Sequence, residues 1–492
     1  MAKLFLFAIG GTGSRVVKSL AMLLASGVKI ENTDTIIPII VDPDSANGDL
    51  TRTIDILKEY KSIREKSFSD KTDFFKTKIS SLDEIGEGGY LSDKFTYDID
   101  GVKSQLFRDF IGFSELDANN KALNSLLFSK GNLDADMEVG FKGNPNIGSV
   151  VLNKFKQTQF FNKFASNFEE NDRVFIVSSI FGGTGAAGFP LILKNVRDAK
   201  TPTPHHSFLN SAKIGAVSVL PYFGVDKSSG SSIDSNTFIS KTIAALKYYA
   251  DNICDNKAIN ALYYIGDNLT NDQKGADGAD DQRNKAHFIE LASALSIVDF
   301  MSIPDNELSF VNGEVTNPKY FEFGLGNESN SITFSDLANQ TYEQIAKPLT
   351  KYSLFKTYME SHYEESCKNS KMPHIHNGNN KLSKEALDQR FRNSISIFNK
   401  HFTEWLDEMR VSNVSFSALD VNQKGKDIYN QVIGKPVKPG FLSKVKNGEG
   451  ITSFLNKLNE GETSFDFLKP TQKLSALFSK VTNEIVDTEI KL

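Results

Sequence analysis

Short apolar runs alternate with helical patterns along the first three hundred residues. Apolar spacing of three and four predicts a first helix over Ser14–Ala25. Strands that alternate with helices favour a doubly wound, mostly parallel sheet, so we predict an α/β fold. The strand predictions are Lys3–Ile9, Ile36–Val41 and the segments "RVFIVSS", "KIGAVSVLPYF" and "NALYYIGDN".

The alternation weakens beyond a long, largely apolar segment, "RNKAHFIELASALSIVDFM". We predict an α/β domain over residues 1–282, a central linking helix over 283–303, and an α+β, helix-rich domain over 304–492. In that last region "PKYFEFGLG" and "SITFSDL" are typical of strands, and "SKEALDQRFRNSISIFNKHFTEWLDEM" of a long amphipathic helix.

Composition narrows the function classes. The formal net charge of −5 argues against general nucleic-acid binding, which needs a basic surplus. The two cysteines, Cys254 and Cys367, lie far apart and predict neither a disulfide framework nor a zinc site, which fits a cytoplasmic protein. No apolar run approaches the roughly 20 residues that span a bilayer, so we expect no membrane insertion.

Glycine-rich turns follow two of the predicted strands. One reads Gly10-Gly11-Thr12-Gly13-Ser14, and the other reads Gly182-Gly183-Thr184-Gly185. A third turn, "GNPNIGS" over 143–149, also precedes a helical pattern. Glycines let a backbone approach phosphate oxygens, and amides at a helix start attract anions.

Three phosphate motifs compete for the first turn. A P-loop is excluded because Val17, not glycine, precedes Lys18-Ser19. A dinucleotide fingerprint is partial, since Val16 replaces its third glycine, although Asp42 ends the second strand. Taken alone, the turn fits a dinucleotide site or a purely structural turn. Three successive amide-rich loops suit a triphosphate better than a dinucleotide.

The ordered set of segments resembles the tubulin/FtsZ superfamily. "VFIVSSIFGGTGAAGFP" is similar to its signature phosphate loop, "GNPNIGS" to the loop that meets the γ-phosphate, and "LYYIGDN" to the strand whose last residue reads guanine. The match runs over roughly residues 1–303, with stretched spacings and with Ile180-Phe181 where another glycine is expected. The resemblance is to a divergent bacterial or phage tubulin-like protein.

That resemblance implies GTP or GDP as the ligand, with Mg²⁺ held through the phosphates and no separate metal site. It places Asn144 and Gly148 near the γ-phosphate, and Asp42 and Asp44 near the ribose or a Mg²⁺-bound water. The implied phosphate contacts are Gly10, Gly11, Thr12, Gly13, Ser14, Gly182, Gly183, Thr184 and Gly185. The implied base contacts are Asn268, Asn284 and Phe288, the last two set one helical turn apart.

Hydrolysis in this superfamily needs an acidic residue after the central helix, donated to the next subunit's nucleotide. Asp305 and Glu307 are the candidates here, in "SIPDNELSF", and the surrounding motif is missing. A carboxylate that orients the attacking water would suit them. The alternative is a solvated turn that ends the helix.

We therefore predict a GTP-binding protein that assembles head to tail in a nucleotide-dependent way, with slow hydrolysis or none. Two alternatives stay open. One is a non-polymerising nucleotide-binding scaffold or regulator within a complex of other proteins. The other is an NAD(P)-binding oxidoreductase, which leaves the second glycine turn unexplained.

Overall fold

A computed structural model describes residues 2–99, 102, 105–137, 141, 144–200, 203–223, 235–267, 283–324, 331–412, 414–423, 428–434 and 450–492. The strands are β1 (Lys3–Ile9), β2 (Thr35–Val41), β3 (Lys78–Ile79), β4 (Thr96–Tyr97), β5 (Arg173–Ser179), β6 (Lys213–Val219), β7 (Ala261–Gly266), β8 (Phe310–Val311), β9 (Glu314–Val315), β10 (Lys319–Gly324), β11 (Ser331–Ile332) and β12 (Ser415–Phe416). The helices are α1 (Gly10–Ser26), α2 (Gly48–Ser67), α3 (Phe107–Phe110), α4 (Ala118–Leu127), α5 (Lys130–Leu133), α6 (Pro145–Leu152), α7 (Gln159–Ser166), α8 (Gly183–Arg197), α9 (His206–Asn210), α10 (Ser235–Tyr249), α11 (Phe288–Ser302), α12 (Asn339–Ser361), α13 (Tyr363–Lys368), α14 (Pro373–His376), α15 (Gln389–Arg410), α16 (Gly450–Glu460) and α17 (Pro470–Ile485).

One parallel sheet organises the chain, in the order β10-β7-β6-β5-β1-β2-β3, with β4 also paired to β2. Strand β5 is buried along its whole length, and β1 along all but its first residue, as expected for strands covered on both faces. The order reverses between β1 and β5, and this reversal is the switch point of a doubly wound sheet. The predicted α/β fold class is confirmed.

Helices α1 and α8 leave the sheet at this switch point. Because right-handed crossovers from β1 and β5 run in opposite directions along the sheet, the two helices cover opposite faces. The sequence predicted a start for α1 at Ser14, but the helix begins at Gly10, directly after the last strand residue. Gly10 has a φ of +71°, and this left-handed conformation makes the abrupt change of direction.

The central helix α11 begins five residues later than predicted. His287 caps it, accepting from the Ile289 amide at 3.1 Å, while Glu290 accepts from the His287 amide at 3.2 Å. This reciprocal cap fixes the helix start at Phe288. Asn284 therefore precedes the helix, and the predicted one-turn relation between Asn284 and Phe288 is wrong.

The C-terminal helices form a second layer over α1 and α2. Helix α12 packs on α1, and α15 and α17 pack on α2. Trp405 of α15 is buried and donates its indole N–H to Ser19 of α1 at 3.1 Å. Strand β10, predicted within the C-terminal domain, joins the edge of the main sheet beside β7. Within the described ranges, no helix combines the length and apolar character needed to cross a membrane.

Candidate anion-binding site

The two Gly-Gly-Thr-Gly segments face each other at the switch point. The first begins α1 after β1, and the second begins α8 after β5, its neighbouring strand. A Cβ built on Gly10 would lie 3.6 Å from Thr184 Cβ and 3.8 Å from the Gly185 amide nitrogen. The two helix starts therefore lie side by side at the carboxyl ends of the strands, with room for about one methyl group between Gly10 and Thr184.

Gly148 of α6, in the third glycine turn, packs on the second segment. A Cβ on Gly148 would lie 2.9 Å from Ala187 Cβ and 3.1 Å from the Gly183 carbonyl oxygen. Only glycine allows α6 to approach the first turns of α8 this closely. Asn144, the residue before α6, is thereby placed beside the second glycine segment.

The starts of α1, α6 and α8 share an electrostatic property. The residues before α1 and α8, Ile9 and Gly182, provide no side-chain cap, and the first turns of all three helices carry no acidic residue. The first amides of a helix have no partner within the helix. The starts of α1 and α8, with the start of α6 beside the second segment, therefore offer amide donors that suit an anion with several oxygens.

Some of the predicted phosphate contacts are packed against the strands, and others are partly exposed. Gly13 packs against β1, since a Cβ there would lie 2.5 Å from the Ala8 carbonyl carbon, and Gly185 packs against Ser179 in the same way. Ser14 is fully buried and donates to the Gly10 carbonyl oxygen. The residues left at the open face of the turns are Gly11, Gly182 and Thr184, which are all partly exposed.

Arg15 follows the first segment and holds it through a hydrogen bond to Thr12. It was not predicted as a site residue. Its Nη2 donates to Thr12 Oγ1 at 3.3 Å and to the Tyr222 hydroxyl at 2.9 Å. Its Nε donates to Glu290 Oε1 at 2.5 Å, and its Nη1 to Asp49 Oδ2 at 2.7 Å. Burial alone would raise the pKa of Glu290, but the nearby Arg15 and Lys18 outweigh it and hold that pKa below its ordinary value.

A signal for this cluster was present in the sequence. Arg15 and Lys18 interrupt the apolar positions of α1, and Glu290 interrupts a largely apolar helix. Charged side chains are almost never fully buried unless they are paired. The interruptions therefore indicated buried ion pairs, although not their partners.

Asp42 and Asp44 follow β2, beside the first segment. The Asp44 amide donates to Asp42 Oδ1 at 3.1 Å, and the Ala46 amide donates to Asp44 Oδ1 at 3.1 Å. Burial, with a contribution from the negative charges of Asp44 and Asp49, raises the pKa of Asp42 to about 7. A cation, or a ribose hydroxyl that donates a hydrogen bond, would stabilise the charged form of the Asp42 carboxylate. Within the described residues, no cluster of three or more His, Cys, Asp or Glu side chains is arranged to hold a metal.

Two of the predicted base contacts, Asn284 and Phe288, are engaged by other side chains of this chain. The Asn284 side-chain amide donates to Asp49 Oδ2 at 3.1 Å. Phe288 is buried and stacks on Phe416, with ring centroids 5.7 Å apart. Asn268 lies outside the described residues. Tyr222, whose hydroxyl accepts from Arg15, lies with its ring centroid 5.0 Å from that of His287.

Asp305 and Glu307 follow the carboxyl end of α11 and lie at the amino ends of the strands, opposite the glycine turns. Asp305 pairs with Arg173 at 2.6 Å and Lys213 at 3.1 Å, the first residues of β5 and β6. Burial alone would raise the pKa of Asp305, but these two hydrogen-bonded cations hold it below its ordinary value. Glu307 pairs with Lys319 at 2.7 Å. The fifteen residues of α11 separate these amino ends from the glycine turns by about 22 Å.

No protein-family model matches the chain, and no curated protein sequence matches it. Solved structures that it matches include CetZ2 from Haloferax volcanii in a GTPγS-bound protofilament, with 13% identity and a TM-score of 0.29. They also include CetZ from Methanosaeta thermophila strain DSM 6194, with 12% identity and a TM-score of 0.26. The matches cover 62% and 61% of this chain, and 60% and 52% of those chains.

Proposed function

We propose that the chain binds a nucleoside triphosphate, GTP, at the carboxyl edge of its sheet. The observation that carries this proposal is the arrangement of the helix starts: those of α1 and α8 lie side by side at Gly10 and Thr184, and α6 packs on the start of α8 through Gly148. Each start supplies amide donors, so oxygens of successive phosphates would each meet a different helix. The choice of guanine comes from the resemblance of the glycine turns to those of the tubulin/FtsZ superfamily.

The residues around the turns fit a nucleotide with Mg²⁺. Asp42 and Asp44 would hold a water of the ion or a ribose hydroxyl, and ligand oxygens would be met by the backbone of Gly11, Gly182 and Thr184. The bound Mg²⁺ would neutralise phosphate charge. A dinucleotide would use one glycine turn for its pyrophosphate and leave the second without a ligand.

We further propose head-to-tail assembly, in which the amino ends of the strands in one subunit face the carboxyl ends of the strands in the next. Asp305 and Glu307 lie at the edge opposite the glycine turns and would face the nucleotide of the next subunit. A contact of this heterologous kind repeats and makes a filament. Asp305 or Glu307 would then orient the attacking water.

A second candidate is a nucleotide-binding scaffold that neither polymerises nor hydrolyses. The contacts of Asp305 favour it, because both carboxylate oxygens are engaged by Arg173 and Lys213 of the same chain. A carboxylate held in this way serves the packing of α11 on the sheet. Sedimentation with GTPγS, followed by negative-stain microscopy, separates the two candidates: filaments support head-to-tail assembly, and their absence supports the scaffold.

Binding itself is tested by matched glycine variants. In Gly10→Ala, a residue with a φ of +71° gains a Cβ that faces Thr184. In the control, Gly88→Ala, the φ is +75° and a Cβ would meet nothing within 4 Å. We expect Gly10→Ala to weaken GTPγS binding by about tenfold or more, which corresponds to about 1.4 kcal/mol, and the control to leave it unchanged. Equal affinities for the two variants would contradict the proposal.

A further inference from the structure

A carboxylate from the C-terminal helices contacts α1, the helix that begins with the first glycine turn. Glu408 of α15 accepts from Arg52 of α2 at 2.6 Å and pairs with Lys18 of α1 at 3.5 Å. It also accepts from the Ala286 amide at 2.8 Å, in the segment that leads into α11. One side chain therefore holds together elements that are distant in sequence: α1, α2 and the start of α11.

The surroundings of Glu408 are almost dry. The side chains of Lys18 and Arg52 are 2% and 6% exposed, and that of Glu408 is 20% exposed. Buried charges require partners, and removal of one partner leaves the others uncompensated. In this cluster, Arg15, Lys18 and Arg52 are balanced by Asp49, Glu290 and Glu408.

The cluster connects Glu408 to the glycine turn in a short series of contacts. Arg52, held by Glu408, also pairs with Asp49 at 3.4 Å. Asp49 accepts from Arg15 at 2.7 Å, and Arg15 donates to Thr12 in the middle of the turn. Arg15 and Arg52 thus share the carboxylate of Asp49. Without its bond to Glu408, Arg52 would compete more strongly with Arg15 for the carboxylate of Asp49.

We propose that Glu408 is a positioning residue for the first glycine turn, acting through Arg52, Asp49 and Arg15 on Thr12. Helix α15 thereby becomes part of the anion site without touching the ligand, and occupancy of the site is coupled to the C-terminal helical layer. The part of this inference that concerns affinity rests on the proposed function. The part that concerns the order of the turn does not.

Charge removal at Glu408 would draw Arg52 towards Asp49 and release Arg15 from it. Glu408→Gln keeps the shape and an oxygen acceptor but removes the charge. Glu408→Asp keeps the charge on a shorter side chain. Glu404→Gln is the matched control, because Glu404 lies one turn earlier on α15 and pairs only with Lys400 and His401 among the described residues.

The first test measures GTPγS affinity by calorimetry. We expect Glu408→Gln to weaken binding by about tenfold, Glu408→Asp to recover part of the loss, and Glu404→Gln to match the wild type. Combined with Thr12→Ala, Glu408→Gln should cause little additional loss, because both changes break the same series of contacts. Fully additive losses, or equal affinities for the Gln variants at 404 and 408, would overturn the inference.

The second test needs no nucleotide. Amide hydrogen exchange of a peptide covering β1 and the first turns of α1 should rise in Glu408→Gln and stay at the wild-type rate in Glu404→Gln. If the wild type binds no GTPγS but exchange rises in this way, the proposed function fails and the positioning role stands. If exchange is the same in both variants, the positioning role fails whatever the ligand.

Discussion

The same four residues, Gly-Gly-Thr-Gly, begin α1 and α8, yet different structures support them. In the first segment the strand ends at Ile9 and the helix begins at once, over a buried cluster of ion pairs. In the second, β5 ends at Ser179, and Ile180, Phe181 and Gly182 intervene before the helix. Arg15 holds the position in the first segment that Ala187 holds in the second.

The difference shows two ways to fix a glycine turn. The second segment is held by close packing, since Ala187 contacts the Gly148 position and Gly188 contacts Ile9. The first is held by charges that reach α2, α11 and α15. Substitutions that enlarge a glycine should therefore lower stability at both segments, whereas substitutions that remove a buried charge should lower it only at the first.

The largest expected effect comes from Arg15→Met. This change leaves Asp49 and Glu290 buried with an incomplete set of counter-charges, and loss of one partner of a buried pair costs about 3–5 kcal/mol. Urea unfolding of the variant should show that loss of stability. Arg390→Met, at an exposed position on α15, is the control and should change stability by less than about 0.5 kcal/mol. Equal stability of the two variants would contradict the charge-held account of the first segment.

Size changes should affect both segments alike. A Cβ at Gly13 would lie 2.5 Å from Ala8, and one at Gly185 would lie 2.7 Å from the Ser179 oxygen. We expect Gly13→Ala and Gly185→Ala each to lose about 1–3 kcal/mol of unfolding free energy, because the helix must move off its strand. Gly131→Ala in α5, where a Cβ meets nothing closer than 3.8 Å, should not be destabilised. A loss at only one of the two segments would refute their equivalence in packing.

A pH-dependent effect should mark the strand end beside the first segment. Asp42 follows β2 next to the first segment, and its pKa is raised to about 7 from an ordinary value of 3.8. Between these values the folded state binds the proton more tightly than the unfolded state, so the contribution of Asp42 to stability falls as pH rises from about 4 to about 7. Asp42→Asn should therefore gain melting temperature over the wild type as pH rises through this window. A difference that is constant or shrinks with rising pH would contradict the raised pKa.

The sequence predicted the sheet well because buried parallel strands are continuous apolar runs, as in β1 and β5. The start of α1 was misplaced because the apolar spacing begins only after the glycines, whereas the chain already turns into the helix at Gly10. The start of α11 was misplaced because His287, an uncommon cap, replaces the usual Ser or Thr. The strand pattern of β10 was found, but its place beside β7 depends on tertiary packing.

The part of the candidate site that the sequence could indicate is the set of glycine turns. Glycine turns before helices are local patterns, and the structure brings the three turns together. The bonds of Asn284 with Asp49 and of Glu408 with Arg52 join side chains that are hundreds of residues apart and meet only in the folded chain. Single-sequence patterns carry no information on such pairings.

The central claim is that three helix starts jointly bind a triphosphate. Calorimetric titration of the wild type with GTPγS, GDP and NAD, each with Mg²⁺, tests it most directly. We predict binding in the order GTPγS, GDP, NAD, from tightest to weakest, because the start of α6 would meet only the third phosphate. Tightest binding of NAD, or no binding of any of the three ligands, would contradict the account.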